Sequence, residues 1–159
     1  MMEVAHRFCT SPERVALLRG LLEYRADLRA AGIPDGLQWI DGSFCEDVET
    51  TRRRPPQDID VVTLVVRPMA HVASPAWVAF VADHPHLFAP AAVKHKYGCD
   101  GYPLDLCLPL QSVMDQFSYW LGLFSHQRAT NLWKGMLQVP LIDDDAAVAA
   151  YLNALPFTP

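Results

Sequence analysis

The sequence predicts an α/β (α+β) chain, a small mixed β-sheet with flanking helices. Three observations carry that prediction. The run Asp58-Ile59-Asp60-Val61-Val62-Thr63-Leu64-Val65-Val66 is dominated by β-branched residues and reads as a buried central strand. Segments with capping residues and apolar positions at helical spacing stand on both sides of it. The 159 residues, 51 % hydrophobic and 19 % charged, suffice for one core and fit one domain spanning 1–159.

Each element follows from local chemistry. Thr10 or Ser11 can cap a first helix, Pro12 fits its first turn, and Glu13 suits the positive end of its dipole. Val15, Leu18, Leu22 and Leu28 recur at helical spacing, Arg14, Arg19, Glu23 and Arg25 fill much of the other side, and Gly32 and Pro34 end the helix. Leu37-Gln38-Trp39-Ile40 reads as a short strand, broken by Asp41-Gly42-Ser43. Ser43 is the expected cap of a short helix running through Glu46-Asp47-Val48. Thr50–Gln57, with Arg52-Arg53-Arg54 and two prolines, reads as a polar loop before the central strand. Pro75–His84 reads as a second helix with Ser74 as its cap. Ala91–Tyr97 and Tyr102–Leu108 read as two strands joined into a hairpin by Gly98-Cys99-Asp100-Gly101. Leu110–Phe124 is an aromatic-rich third helix, Ser125–Leu141 takes no assignment, and Asp143–Leu155 is a terminal helix. The motif core thus spans about 37–108, with a helical part over 110–159.

Composition excludes several classes. Net charge −5 and pI near 5.6 argue against a general nucleic-acid binder. No apolar run approaches the roughly 20 residues that span a bilayer, and Met1–Thr10 has no signal-peptide core, so a cytoplasmic protein without a membrane partner is expected. The cysteines at 9, 45, 99 and 107 form no C-x-x-C pair and are expected as reduced thiols. P-loop, dinucleotide-binding, zincin and nucleophile-elbow motifs are absent.

The chemistry is expected in Gly42-Ser43, Asp58-x-Asp60 and Asp105. Strand residues i and i+2 share a face about 6–7 Å apart, so Asp58 and Asp60 project together while Ile59 and Val61 face a core. In Leu104-Asp105-Leu106-Cys107-Leu108 the alternation sets Asp105 opposite three leucines. If that strand lies beside the first, three carboxylates converge, an arrangement that a hard cation such as Mg²⁺ or Mn²⁺ would neutralise. Two such ions about 3.5–4 Å apart serve phosphoryl or nucleotidyl displacement. The Gly42-Ser43 turn permits close backbone approach to a phosphate, with helix N–H groups and a hydroxyl as donors.

Ile40-Asp41-Gly42-Ser43-Phe44, Asp58-Ile59-Asp60-Val61-Val62 and Leu104-Asp105-Leu106 together resemble the DNA polymerase β-type nucleotidyltransferase superfamily, over about Leu37–Leu108. The chain is similar to small bacterial members that also carry a downstream Arg and Lys-Gly, here Arg128 and Lys134-Gly135. The resemblance implies that Gly42 and Ser43 hold β- and γ-phosphates and that Asp58 and Asp60 hold two Mg²⁺ ions. It implies that Asp105 completes the metal site and that Arg128 and Lys134 steady phosphate charge. The activity implied is transfer of a nucleoside monophosphate from an NTP, such as ATP, to a hydroxyl acceptor: an RNA end, a protein side chain or a small molecule. A partner protein or homo-oligomer would supply acceptor surface. The alternative is a catalytically silent nucleotide- or partner-binding module of the same fold, such as a toxin–antitoxin component. Fourteen residues separate Ser43 from Asp58, more than in compact members.

Other features read more plainly. Arg52–Arg54 is expected as a solvated loop, with acceptor contact as the alternative. His84-x-His86 and His95-x-x-x-Cys99 lack a full ligand set. Tyr97 and Tyr102 are expected in packing, with base stacking as the alternative. Phe117, Trp120, Leu121 and Phe124 are expected as core, or as a dimer surface if exposed.

Overall fold

The computed structural model describes residues 1–127 and 130–157. Its elements are α1 (Met2–Phe8), α2 (Pro12–Ala30), β1 (Gly36–Asp41), a 3₁₀ turn (Gly42–Cys45), α3 (Val48–Arg52), β2 (Ile59–Val65), α4 (Ser74–Asp83), α5 (Pro85–Phe88), α6 (Pro90–Tyr97), β3 (Cys99–Asp105), α7 (Leu110–Phe124), β4 (Leu137–Pro140) and α8 (Asp145–Ala154). The sheet runs β3-β2-β1-β4, with β1 antiparallel to both β2 and β4 and β2 parallel to β3. The expected α+β architecture with a mixed sheet and flanking helices is therefore present. Among the described residues no helix is long and apolar enough to cross a membrane.

Alternation along the strands sorts two cores. Ile59, Val61 and Val65 of β2, with Ile40 of β1, pack against α2, α6 and α8. Val62, Leu64, Trp39 and Leu104 face the other way, against Val113, Trp120 and Phe124 of α7. Residues of even number on β2 and β3, and of odd number on β1, thus look toward α7. That parity decides which acids can meet.

Several expectations need correction. There is no hairpin over 91–108. Residues Pro90–Tyr97 form a helix with proline in its first turn, and Val93 and Tyr97, one turn apart, are buried. Gly98, at φ 66°, ends that helix in a left-handed cap instead of opening a turn. The following strand then pairs parallel with β2, as a crossover connection through α4–α6 allows and a hairpin would not. The short helix expected from Ser43 is a 3₁₀ turn followed by α3, capped by Asp47, whose side chain accepts from Thr50 N at 3.2 Å. Ser74 is the first residue of α4 rather than its cap. Its Oγ accepts instead from Arg67 Nη1 at 3.1 Å. Ser11 does cap α2, accepting from Arg14 N.

Two arginines that helical spacing would leave in solvent are buried. Arg25 is fully buried, with Nε on the Asp145 carboxylate at 2.8 Å, Nη1 donating to Gln38 Oε1 at 2.8 Å, and Nη2 to the carbonyls of Pro140 and Leu141. It ties α8 and β4 to the sheet. Arg14 donates to the carbonyls of Phe44 and Glu46, each at 2.6 Å, and pairs with Glu49 at 2.6 Å. A side chain of α2 thereby fixes the Gly42–Cys45 turn from beneath.

Candidate functional site

β1 ends where β2 begins, and β3 begins beside β2. Asp41 is cross-strand partner to Asp60, and Asp60 to Asp100. All three share the α7 face, and Asp58 stands two residues before Asp60. They line a cleft of about 240 Å³ with Gly42, Ser43, Glu46, Arg52, Arg54, Lys94, Leu123, Phe124, His126 and Lys134. Of the residues expected from sequence, the fold brings Gly42, Ser43, Asp58, Asp60 and Lys134 into this one cleft. Arg128 lies outside the described residues.

Asp105 is not in the cleft, for two reasons. Register sets it opposite Val65, five residues from Asp100, about 16 Å along the strand. Parity turns it to the face away from Leu104. There its carboxylate accepts from Arg67 Nε at 2.8 Å and from Cys107 N at 2.9 Å. Asp100 stands where the third carboxylate was expected.

Two lysines bridge the acids. Lys94 Nζ lies 2.6 Å from Asp58 and 3.9 Å from Asp100. Lys134 Nζ lies 3.0 Å from both Asp41 and Glu46. Burial pulls the Lys134 ammonium down, but the hydrogen bond and charge of Asp41, joined by those of Glu46, outweigh it and leave it raised. Burial lifts the Asp41 carboxyl above its ordinary value, against the opposing pull of Lys134. Asp41 is only 2 % exposed, and its Oδ1 is buried without a hydrogen-bond partner.

Gly42 adopts φ +81°, and a methyl group on its Cα would overlap the Asp60 carboxylate. Glycine is therefore required twice over, for the backbone turn and for the approach of Asp60. The short helix expected to start at Ser43 is here one 3₁₀ turn, with α3 beginning only at Val48, so the turn's own backbone and the Ser43 hydroxyl are the donors on offer.

A hard divalent cation fits the donor set in kind, since Asp58, Asp60, Asp100 and the orphaned Asp41 oxygen are all carboxylate donors. As the side chains stand, no group of three or more His, Cys, Asp or Glu among the described residues is placed to hold a metal ion. Lys94 supplies the positive charge at Asp58. The cleft lining holds five carboxylates against the four cations Arg52, Arg54, Lys94 and Lys134.

Sequence reading missed Asp100, Lys94, Glu46 and His126, and gave Asp41 no role. The signal for Asp100 was the alternation Asp100-x-Tyr102-x-Leu104, hidden by the hairpin reading. Arg52, Arg53 and Arg54 are exposed, as expected of a solvated segment; Arg52, the last residue of α3, and Arg54 also line the cleft, and Arg52 pairs with Glu46 at 3.0 Å. Of the aromatic stripe, Trp120 and Phe124 are core while Leu121 is exposed. Tyr97 is core, and Tyr102 is half-buried against Trp120.

A family model described as a family of unknown function, DUF6932, matches residues 1–140. No curated protein and no solved structure matches the chain.

Proposed function

The chain belongs to the DUF6932 family, and from the residues of its own cleft we propose a Mg²⁺-dependent nucleotidyltransferase. It moves a nucleoside monophosphate from an NTP to an acceptor hydroxyl and releases pyrophosphate. One observation carries the reading: a glycine-serine turn, the Asp58-x-Asp60 pair, a third carboxylate and a lysine meet at one end of one sheet face.

In this reading Gly42 and Ser43 receive the β- and γ-phosphates, with Lys134 and the Arg52–Arg54 loop offsetting their charge. Asp58, Asp60 and Asp100 would hold Mg²⁺, and Asp100 takes the role first given to Asp105. When bound, the ion lowers the charge on the α-phosphate and on the leaving oxygen. Asp100, a carboxylate acceptor on the β3 edge of the cleft, hydrogen-bonds the incoming hydroxyl and orients it. The hydroxyl gives its proton to the Asp100 carboxylate, its oxygen forms a bond to the α-phosphorus, and the bond from that phosphorus to the oxygen bridging to the β-phosphate breaks, that oxygen leaving on pyrophosphate.

A second reading is favoured by the Lys94–Asp58 pair and by the absence, among the described residues, of a converged ligand triad. Here the same cleft binds nucleotide without turnover.

Thermal unfolding with each NTP, with and without Mg²⁺, tests the common ground. A ligand that binds only the native state raises apparent stability by mass action. A Mg²⁺-dependent shift, absent in Asp60→Ala, is expected. No shift with any NTP would overturn both readings. Release of labelled pyrophosphate then separates transferase from silent module.

A further inference from the structure

Beyond the acidic cleft, on the β3 side, lies a second chamber of about 270 Å³. It shares Asp60, Asp100, Leu123 and Phe124 with the cleft, so the two spaces adjoin along these residues, and its walls add Tyr102, Tyr119 and Trp120. Neither Gly42, Ser43 nor Lys134 reaches it. The rings hold one another: Tyr102 and Trp120 centroids are 4.8 Å apart, Trp120 and Phe124 5.4 Å, and Tyr119 stands edge-on to Trp120 at 5.0 Å. Tyr119 is 61 % exposed, a large ring left open at the mouth.

We infer that this chamber is the acceptor site and that it takes a small molecule carrying its hydroxyl on or beside an aromatic or sugar ring. The inference rests on the nucleotidyl-transfer reading. Displacement at phosphorus is in line, with attacking and leaving oxygens on opposite sides. If pyrophosphate leaves toward Gly42, Ser43 and Lys134, the hydroxyl enters from across Asp60 and Asp100, where the chamber opens. Aromatic walls bind ring faces, aromatic or sugar, by stacking and apolar contact. Carboxylates at the mouth and a net negative chain disfavour a polyanion, so a nucleic-acid strand is the poorer occupant.

The test uses the full chain, with tyramine and methyl α-glucoside as ring probes, read by saturation-transfer NMR. Mg²⁺-ATP binding is read in parallel by thermal shift. Binding of at least one probe is expected, weakened roughly tenfold in Tyr119→Ala by loss of one stacking ring and kept in Tyr119→Phe. The ATP shift should be unchanged in both variants. Tyr119 is exposed, so both should fold, and the far-ultraviolet spectrum checks it. Failure of both probes beside a normal ATP shift overturns the acceptor assignment and leaves the transfer reading standing. Loss of the ATP shift in Tyr119→Ala also overturns it, because the chamber then holds the donor's base. Ring binding with no ATP shift in the wild type overturns the transfer reading and the acceptor role with it. Tighter binding of a short oligouridylate than of either probe overturns the small-molecule class.

Discussion

Replacing Gly42 by alanine strikes the backbone turn and the seat of Asp60 together. At φ +81° an L-residue sits on the left-handed side, which costs about 1–2 kcal/mol. The added methyl would also lie 2.7 Å from Asp60 Cγ and 3.1 Å from Asp60 Cβ, so the carboxylate must swing away. Together these set the expected loss at about 2–3 kcal/mol, in the range of backbone and overpacking mutants. For a chain of this size that lowers Tm by roughly 4–12 °C. Urea unfolding followed by circular dichroism measures it. Gly122→Ala is the control: this glycine lies inside α7 with open space where a Cβ would go, so alanine should stabilise by about 0.5–1 kcal/mol. The two parts of the Gly42 penalty separate in an Asp60→Ala background. The carboxylate is then gone and only the tight Cβ contact and the backbone cost remain, so the penalty should shrink by about 1 kcal/mol, a coupling expected of touching residues. An equal penalty in both backgrounds would refute the packing of Asp60 on Gly42. No penalty in either would refute the turn itself.

Four further predictions test other parts of the structure. Asp100→Ala should abolish the Mg²⁺-dependent nucleotide shift, whereas Asp105→Ala should keep it and lose the contacts to Arg67 and to Cys107 N; the reverse pattern would restore the third carboxylate to Asp105. Lys94→Ala should tighten Mn²⁺ binding, followed by electron paramagnetic resonance, by roughly two- to fivefold, the scale of a half-exposed ion pair; weaker binding would make Lys94 a helper rather than a competitor. Arg25→Leu should cost about 3 kcal/mol in urea unfolding, because it strips a partner from buried Gln38 and Asp145; a loss under about 1 kcal/mol would show that Arg29 alone satisfies Asp145. Burial pushes the Cys9 thiol up to about 11 and those of Cys45 and Cys99 to about 12, so at pH 8 these three stay protonated. Iodoacetamide at that pH should label exposed Cys107 first in the native chain, and mass mapping of peptides would reveal any other order.

What was legible in the sequence was what depends on neighbours along the chain. Ser11-Pro12 opens a helix wherever it stands before an apolar-periodic run, and Ile59–Val65 pairs on both sides because β-branched residues fill a pleated surface from either face. Asp58, one residue ahead of β2, and Asp60 within it share a cleft, as the spacing of two along an extended chain predicts. What was not legible depends on partners distant in sequence. The segment 90–97 is short, and its Val93 and Tyr97 fit period two as well as helical period; Pro90 and Gly98 decide for helix only once the parallel strand behind them is known. That one change moved the third acid from Asp105 to Asp100. Arg14 and Arg25 look solvent-facing by composition, because the carbonyls and carboxylates that receive them come from residues 30 to 120 positions away.

The parallel pairing of β2 with β3 also governs when the cleft comes into being. Asp41 and Asp60 can meet early, since β1 and β2 are antiparallel neighbours in sequence. Asp100 and Lys94 join only after the whole stretch through α4, α5 and α6 has crossed over the sheet, and such non-local closures are the slow events of folding. A chain still growing or partly unfolded therefore carries Asp41, Asp58 and Asp60 together but lacks Asp100 and Lys94 beside them. Divalent-ion capture by this protein would then appear last in a refolding time course, after the helical signal has risen, and would serve as a clock for completion of the crossover.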